Sequence, residues 1–137
     1  MKGLQNEVVI VTGGAGGIGS ATCRRLAEEG AKVAIFDMNL TVAEQLASEI
    51  QAQGGQALAV QCNITQSDVV EQAVQLTEEK LGAIDGLVNN AGWDVFKPFV
   101  KSTPEEWQKL IQIKLVSMLN MHFTVLKGMV ARNSVSI

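Results

Sequence analysis

An α/β fold with a doubly wound parallel sheet is what this sequence predicts, on three observations. Short apolar runs alternate with amphipathic stretches in the order βαβαβαβ. The run Val8-Val9-Ile10-Val11 leads directly into Thr12-Gly13-Gly14-Ala15-Gly16-Gly17-Ile18-Gly19, a glycine-rich turn opening a helix. The second apolar run, Lys32-Val33-Ala34-Ile35-Phe36, ends in a carboxylate, Asp37.

The glycine turn carries a physical reading. Gly13 permits a tight turn off the strand, Gly17 lets backbone approach a phosphate, and Gly19 lets the new helix pack closely on the sheet. Backbone N–H groups at the helix start then face an anion without help from a cationic side chain. Together these features make the fold Rossmann-type. The first helix is expected from about Gly17 to Glu29, with Ile18, Ala21, Thr22, Leu26 and Ala27 on its apolar face and Gly30 as its stop. Asp37 then lies about 20 residues beyond the glycines, where a carboxylate accepts hydrogen bonds from a ribose 2′-hydroxyl and repels a 2′-phosphate. Neither Met38 nor the loop residues Gly14, Ala15 and Gly16 offer a cation, so the expected cofactor is NAD rather than NADP.

A second helix is expected from about Thr41 to Gln53, with Val42, Leu46 and Ile50 at four-residue spacing, ended by Gly54-Gly55. The third strand is Ala57 to Cys62. The third helix runs from about Ser67 to Leu81 on a face of Val70, Ala73, Val74, Thr77 and Leu81, and Gly82 stops it. The fourth strand is Ile84 to Asn89. Right-handed crossovers give the strand order 3-2-1-4, with ligand expected over the switch point between the first and fourth strands, beside Gly13 and Asn89. One long helix follows from about Pro104 to Met129, with Thr103 as N-cap and Glu105-Glu106 at its positive end. It is apolar nearly all round, which suggests a second buried face against another copy of the chain and a homo-oligomer through helix 104–129.

Composition narrows the function. A chain of 137 residues, 47% apolar, holds one small domain. A net charge of −3 with no basic run gives no reason to expect nucleic acid. No stretch reaches the roughly 18 apolar residues of a membrane span, and the polar Met1 to Glu7 lacks a signal-peptide core, so the cytoplasm is the expected compartment. Cys23 and Cys62 read as packing residues. His122 reads as a packing or interface residue, and no metal cluster is expected.

Thr12-Gly13-x-x-x-Gly17-x-Gly19, Asp37 and Asn89-Asn90-Ala91-Gly92 together resemble the short-chain dehydrogenase/reductase family from about Leu4 to Met129. The resemblance implies an NAD-dependent oxidation of a secondary alcohol to a ketone. It implies that the run Asn89-Asn90-Ala91-Gly92 steadies the central sheet and lines the adenosine side of the cofactor, with Asn89, Ala91 and Gly92 as its cofactor contacts, and that Thr12, Gly13, Gly17, Ile18 and Gly19 also bind the cofactor. It also implies that Asn63, followed by Ile64, contacts adenine. The family commonly has Asp there, but an amide offers both a donor and an acceptor. The stretches Ala21 to Arg25, Phe36 to Asn39 and Asn90 to Phe99 are similar to a narrower group, the 2-hydroxycyclohexanecarboxyl-CoA dehydrogenases. They imply a cyclic hydroxyacyl-CoA substrate flanked by Trp93, Phe96 and Phe99.

The chain also departs from the family. The family's proton acceptor is a Tyr with a Lys four residues later, yet this chain has no tyrosine. The family's Ser has no secure counterpart in Ser134 or Ser136. The family's relay Asn should lie seven residues after Trp107, where Lys114 stands, and Asn120 is out of register. No catalytic residue is therefore assigned. Residues 1–137 are expected to be an incomplete cofactor-binding domain, a fragment or frameshifted product ending before the Ser-bearing strand. Such a chain is expected to be inactive as a dehydrogenase, to have a bare sheet edge at its fourth strand, and to be association-prone. The alternatives are a non-catalytic nucleotide-binding or interaction module, or part of a 3-oxoacyl-carrier-protein reductase or sugar dehydrogenase.

Overall fold

The computed structural model describes residues 3–137. Four parallel strands, β1 (Val8–Thr12), β2 (Lys32–Asp37), β3 (Gln56–Gln61) and β4 (Gly86–Val88), form one sheet in the order β3-β2-β1-β4. The helices are α1 (Gly17–Glu28), α2 (Leu40–Ala52), α3 (Ser67–Leu81), α4 (Pro104–Ile111) and α5 (Ser117–Ala131). The strand order and the switch point between β1 and β4 are as the sequence predicts.

Strand alternation divides the core into two layers. Val9, Val11, Val33 and Ile35 pack against Cys23 of α1 and against Ala43, Leu46, Ala47 and Ile50 of α2. Val8, Ile10, Ala34, Phe36 and Val60 face the other way, against Val70, Ala73 and Val74 of α3 and Met121, Val125 and Met129 of α5. Strands covered on both faces read as unbroken apolar runs, which is how β1 and β2 read. Full burial of one such side chain stabilises by about 2 kcal/mol, against a few tenths per residue from helix propensity, so the two packed layers decide the fold.

Five expectations are corrected. Ile18 is 80% exposed and Ala21 is exposed, so the buried face of α1 is Gly19 and Cys23 flanked by Leu26 and Ala27. The first turn of α1 stands at the groove over the strand ends, where Ile18 lines the opening. Val42 is largely exposed because α2 buries Ala43, Leu46, Ala47 and Ile50 instead. β4 is three residues long, because Asp85 turns its carboxylate to the Val8 N–H at 2.9 Å and Asn90 closes back on Val88.

The long helix is interrupted. α4 passes through a π-helical turn, Gln112–Val116, into α5, and the Ser117 hydroxyl donates to the Ile113 carbonyl there. The edge of β4 is not bare either. The Leu87 N–H donates to the Ser136 carbonyl at 3.0 Å, and the Arg132 guanidinium donates to the Ile84 carbonyl. The C-terminal segment thus takes up one backbone N–H of β4 on its outer side.

Candidate dinucleotide site

The site is built at the switch point. The first device is Thr12, buried at 1% exposure at the end of β1. Its hydroxyl accepts from the N–H groups of Asn90 and Ala91, both at 3.1 Å, and donates to the Val88 carbonyl. One side chain thereby fixes the turn after β4 onto β1. Asn90 reciprocates: its amide Nδ2 donates to the carbonyls of Thr12 and Gly13, each at 3.0 Å. The resemblance implies a cofactor contact for Thr12 and a sheet-steadying role for the run that contains Asn90. The structure makes both of them braces of the turn.

Close approach explains the glycines. Gly13 has φ +61°, and a Cβ there would lie 2.9 Å from the Ala91 Cα. A Cβ on Gly19 would lie 2.2 Å from the Gly13 carbonyl oxygen and 2.8 Å from Asn90 Nδ2. Gly19 is thus demanded by its own loop and by Asn90, rather than by the sheet. A Cβ on Gly17 would meet nothing, since that residue opens onto the groove. α1 begins with an uncapped end and no acidic residue in its first turn, so its positive end carries no internal counter-charge there. A diphosphate fits this cradle.

Asp37 does two things. Its Oδ2 accepts from the Ala15 N–H at 3.0 Å, and its Oδ1 accepts from the Asn39 N–H at 2.9 Å. The carboxylate therefore holds the glycine loop as well as facing the groove. Asn63 departs from the expected donor-and-acceptor role: its Oδ1 accepts from both the Thr65 N–H at 3.1 Å and the Thr65 hydroxyl at 2.7 Å. Both oxygen lone pairs are committed, which leaves the amide N–H groups for a ligand. Asn89 places its Nδ2 3.0 Å from His122 Nε2 on α5, so His122 supports the site's edge in addition to packing.

These residues enclose a groove of about 960 Å³. It runs from Gly13, Gly16, Gly17, Ile18 and Gly19 past Asp37 and Met38 to Asn63, Ile64 and Thr65, and back along Asn90, Ala91, Gly92 and Trp93. Lys109, Gln112 and Ile113 complete the far wall. These last three were not legible in the sequence. They reach the groove at three- and four-residue spacing across the junction of α4 and the π turn.

The segment after Gly92 is held to α4 by exposed contacts. Lys109 Nζ lies 3.9 Å from the Trp93 ring centroid. Lys114 Nζ pairs with Asp94 at 3.0 Å, which holds the Asp94 carboxyl below the usual carboxylate range. Lys97 Nζ pairs with Glu106 at 2.6 Å, and the Lys97 contact holds the Glu106 carboxyl low as well. Thr103 and Glu106 form a reciprocal cap on α4. Phe99 stacks on Trp107 at 5.2 Å, and Phe96 projects into solvent. Of the three aromatic residues expected to flank substrate, only Trp93 lines the groove. Lys114 is exposed and ion-paired, which removes the burial cost expected at the relay position.

Burial pushes the Cys23 thiol up to about 12 and the Cys62 thiol up to about 11, so both are protonated packing groups at neutral pH. Among the described residues, no group of three or more His, Cys, Asp or Glu is placed to hold a metal. No helix among them is long and apolar enough to cross a membrane.

The short chain dehydrogenase family model matches residues 7–137. A 3-oxoacyl-[acyl-carrier-protein] reductase of Synechocystis sp. is 37% identical over 135 residues, covering 98% of this chain and 55% of that protein. A cyclopentanol dehydrogenase of Comamonas testosteroni is 38% identical over 117 residues, covering 85% of this chain and 47% of that protein. The solved structure of an NAD+-bound xylitol dehydrogenase has a TM-score of 0.92 at 30% identity, over 97% of this chain and 52% of its own. The chain spans about half the length of these relatives.

Proposed function

Because the chain belongs to the short-chain dehydrogenase family, we propose that residues 1–137 are the NAD-binding half of an oxidoreductase acting on a secondary alcohol. The observation that carries the reading is the groove in which the glycine turn and Asp37 share one wall. The diphosphate takes the backbone N–H groups from Gly17 onward, and Asp37 takes the adenosine ribose hydroxyls. Asn63, Ile64, Ala91 and Gly92 line the adenosine. Thr12, Asn89 and Asn90 position these groups without touching the ligand. The bound nicotinamide would accept the hydride.

These residues supply no phenol base, because the 137 residues contain no tyrosine. By themselves they turn over no alcohol by the family's Tyr chemistry, although they bind the cofactor. NAD-dependent turnover by the pure 137-residue chain would overturn that statement.

The substrate is a ring alcohol. Support comes from the printed names of two relatives, the cyclopentanol dehydrogenase and a 2,5-dichloro-2,5-cyclohexadiene-1,4-diol dehydrogenase of Sphingobium indicum that is 37% identical over 112 residues. The cyclic hydroxyacyl-CoA expected from the narrower resemblance belongs to this class, with Trp93 as its flanking ring. The homo-oligomer rests on Trp107, Ile111, Leu115, Leu119 and Phe123, which form an exposed apolar stripe opposite the buried Ser117, Met121 and Val125. A stripe of that length is covered most simply by a second copy of itself.

The cofactor is tested by titrating the chain and its Asp37→Ala variant with NAD and NADP. The chain is expected to favour NAD, and the variant to lose that preference. Equal NAD affinity in the two proteins would remove Asp37 from the site.

A further inference from the structure

The far wall of the groove carries a cation that the glycine cradle does not explain. Lys109 is the only Lys or Arg among the residues that line it, and Asp37 is the only acid. The Asp37 carboxylate is already engaged by two backbone N–H groups. Lys109 has no carboxylate partner among the described ion pairs, unlike Lys97 and Lys114 on either side of it in the fold. Its ammonium instead sits over the Trp93 ring at 3.9 Å.

Such a contact holds a cation loosely. At an exposed site it is worth less than a hydrogen-bonded ion pair to a desolvated phosphate. The ring and Lys109 both line the groove, and the contact leaves the three N–H donors of Lys109 unmatched by any carboxylate among the described ion pairs. The uncapped, acid-free start of α1 lines the same groove, so two positive features bound one space.

We propose that Lys109 is a positioning residue for the dinucleotide's diphosphate, exchanging the Trp93 ring for a phosphate oxygen when the ligand binds. This rests on the dinucleotide reading above and adds a side-chain cation to a cradle otherwise made of backbone. Trp93 then has two jobs, lining the groove and storing the lysine.

The test compares ADP with adenosine, because the two share a base and ribose and differ in the diphosphate. Each is titrated by calorimetry into the 137-residue chain and into Lys109→Met and Lys109→Arg variants. Lys109 is exposed and Met keeps its helix propensity, so both variants fold. The expected result is a loss of about tenfold in ADP affinity for Lys109→Met, recovered by Lys109→Arg, with adenosine unchanged in all three. The ADP affinity of the parent should also fall more steeply with salt than that of Lys109→Met.

Trp93 supplies a second readout. In a Trp107→Phe background it is the only tryptophan, and ADP but not adenosine should change its emission as the ammonium leaves the ring. Equal losses for ADP and adenosine in Lys109→Met, or no loss for either, would overturn the proposal while leaving the dinucleotide reading intact. Failure of the parent chain to bind NAD, ADP and adenosine alike would overturn both.

Discussion

The two walls of the groove are held by different forces. The wall from β1 to the Asn90 turn is knitted by side chains bonded to backbone, most of them partly buried. Thr12, Asp37 and Asn90 each satisfy two main-chain groups, and Gly13 and Gly19 allow no added atom. The wall from Trp93 to Lys114 is held by exposed ion pairs and ring contacts. Buried bonds to backbone are expensive to leave unmade, whereas exposed pairs contribute little and are screened by salt. The first wall should therefore be rigid and intolerant of substitution. The second should be adjustable.

The sharpest way to break this contrast is Gly19→Ala. Its Cβ would collide with backbone and with Asn90, so the loop must shift. We expect a stability loss of about 3 kcal/mol and loss of measurable NAD binding, by thermal denaturation and calorimetry. A variant with an unchanged melting temperature would mean that the loop is soft. Thr12→Val comes next. It keeps the shape but takes the acceptor from the Ala91 N–H and leaves the Asn90 N–H only the Val88 carbonyl, and about 1–2 kcal/mol should be lost in urea unfolding with a smaller effect on nucleotide affinity.

The second wall should respond mainly to pH. Asp94 and Glu106 are both held low by their lysines, so their charged forms are favoured in the folded chain. The contribution of these pairs is present above the ordinary carboxylate range and is lost as pH falls below about 4. Tryptophan emission from Trp93 and Trp107 should change over that interval. The melting temperature of Asp94→Asn at neutral pH should match the parent, and a large drop would show that the loop is a structural keystone instead.

Most of the first wall was legible in the sequence because its chemistry constrains residue type at fixed positions. A left-handed turn and two close backbone approaches leave only glycine, and the strand end after β2 leaves one carboxylate. What was not legible there concerns partners: the sequence cannot say that Thr12 braces Asn90 and Ala91, or that the Asn63 oxygen is spent on Thr65. The helices were read nearly to their ends, but Ile18 was assigned to the core, because apolar periodicity does not show where a helix overhangs its sheet. The π turn was invisible because one widened turn leaves the apolar pattern on either side intact. The place of Lys109 in the groove is marked by its contact with Trp93, which lies sixteen residues earlier in the chain, a separation that no helical periodicity reveals.

The most direct test of the account is an amide-resolved NMR titration of the 137-residue chain with NAD. The account predicts shifts clustered at residues 13–19, 37–38, 63–65 and 89–93, with a second group at 109–113 and none at the exposed Leu119 and Phe123 of α5. Shifts scattered over the surface, or none at saturating NAD, would contradict it.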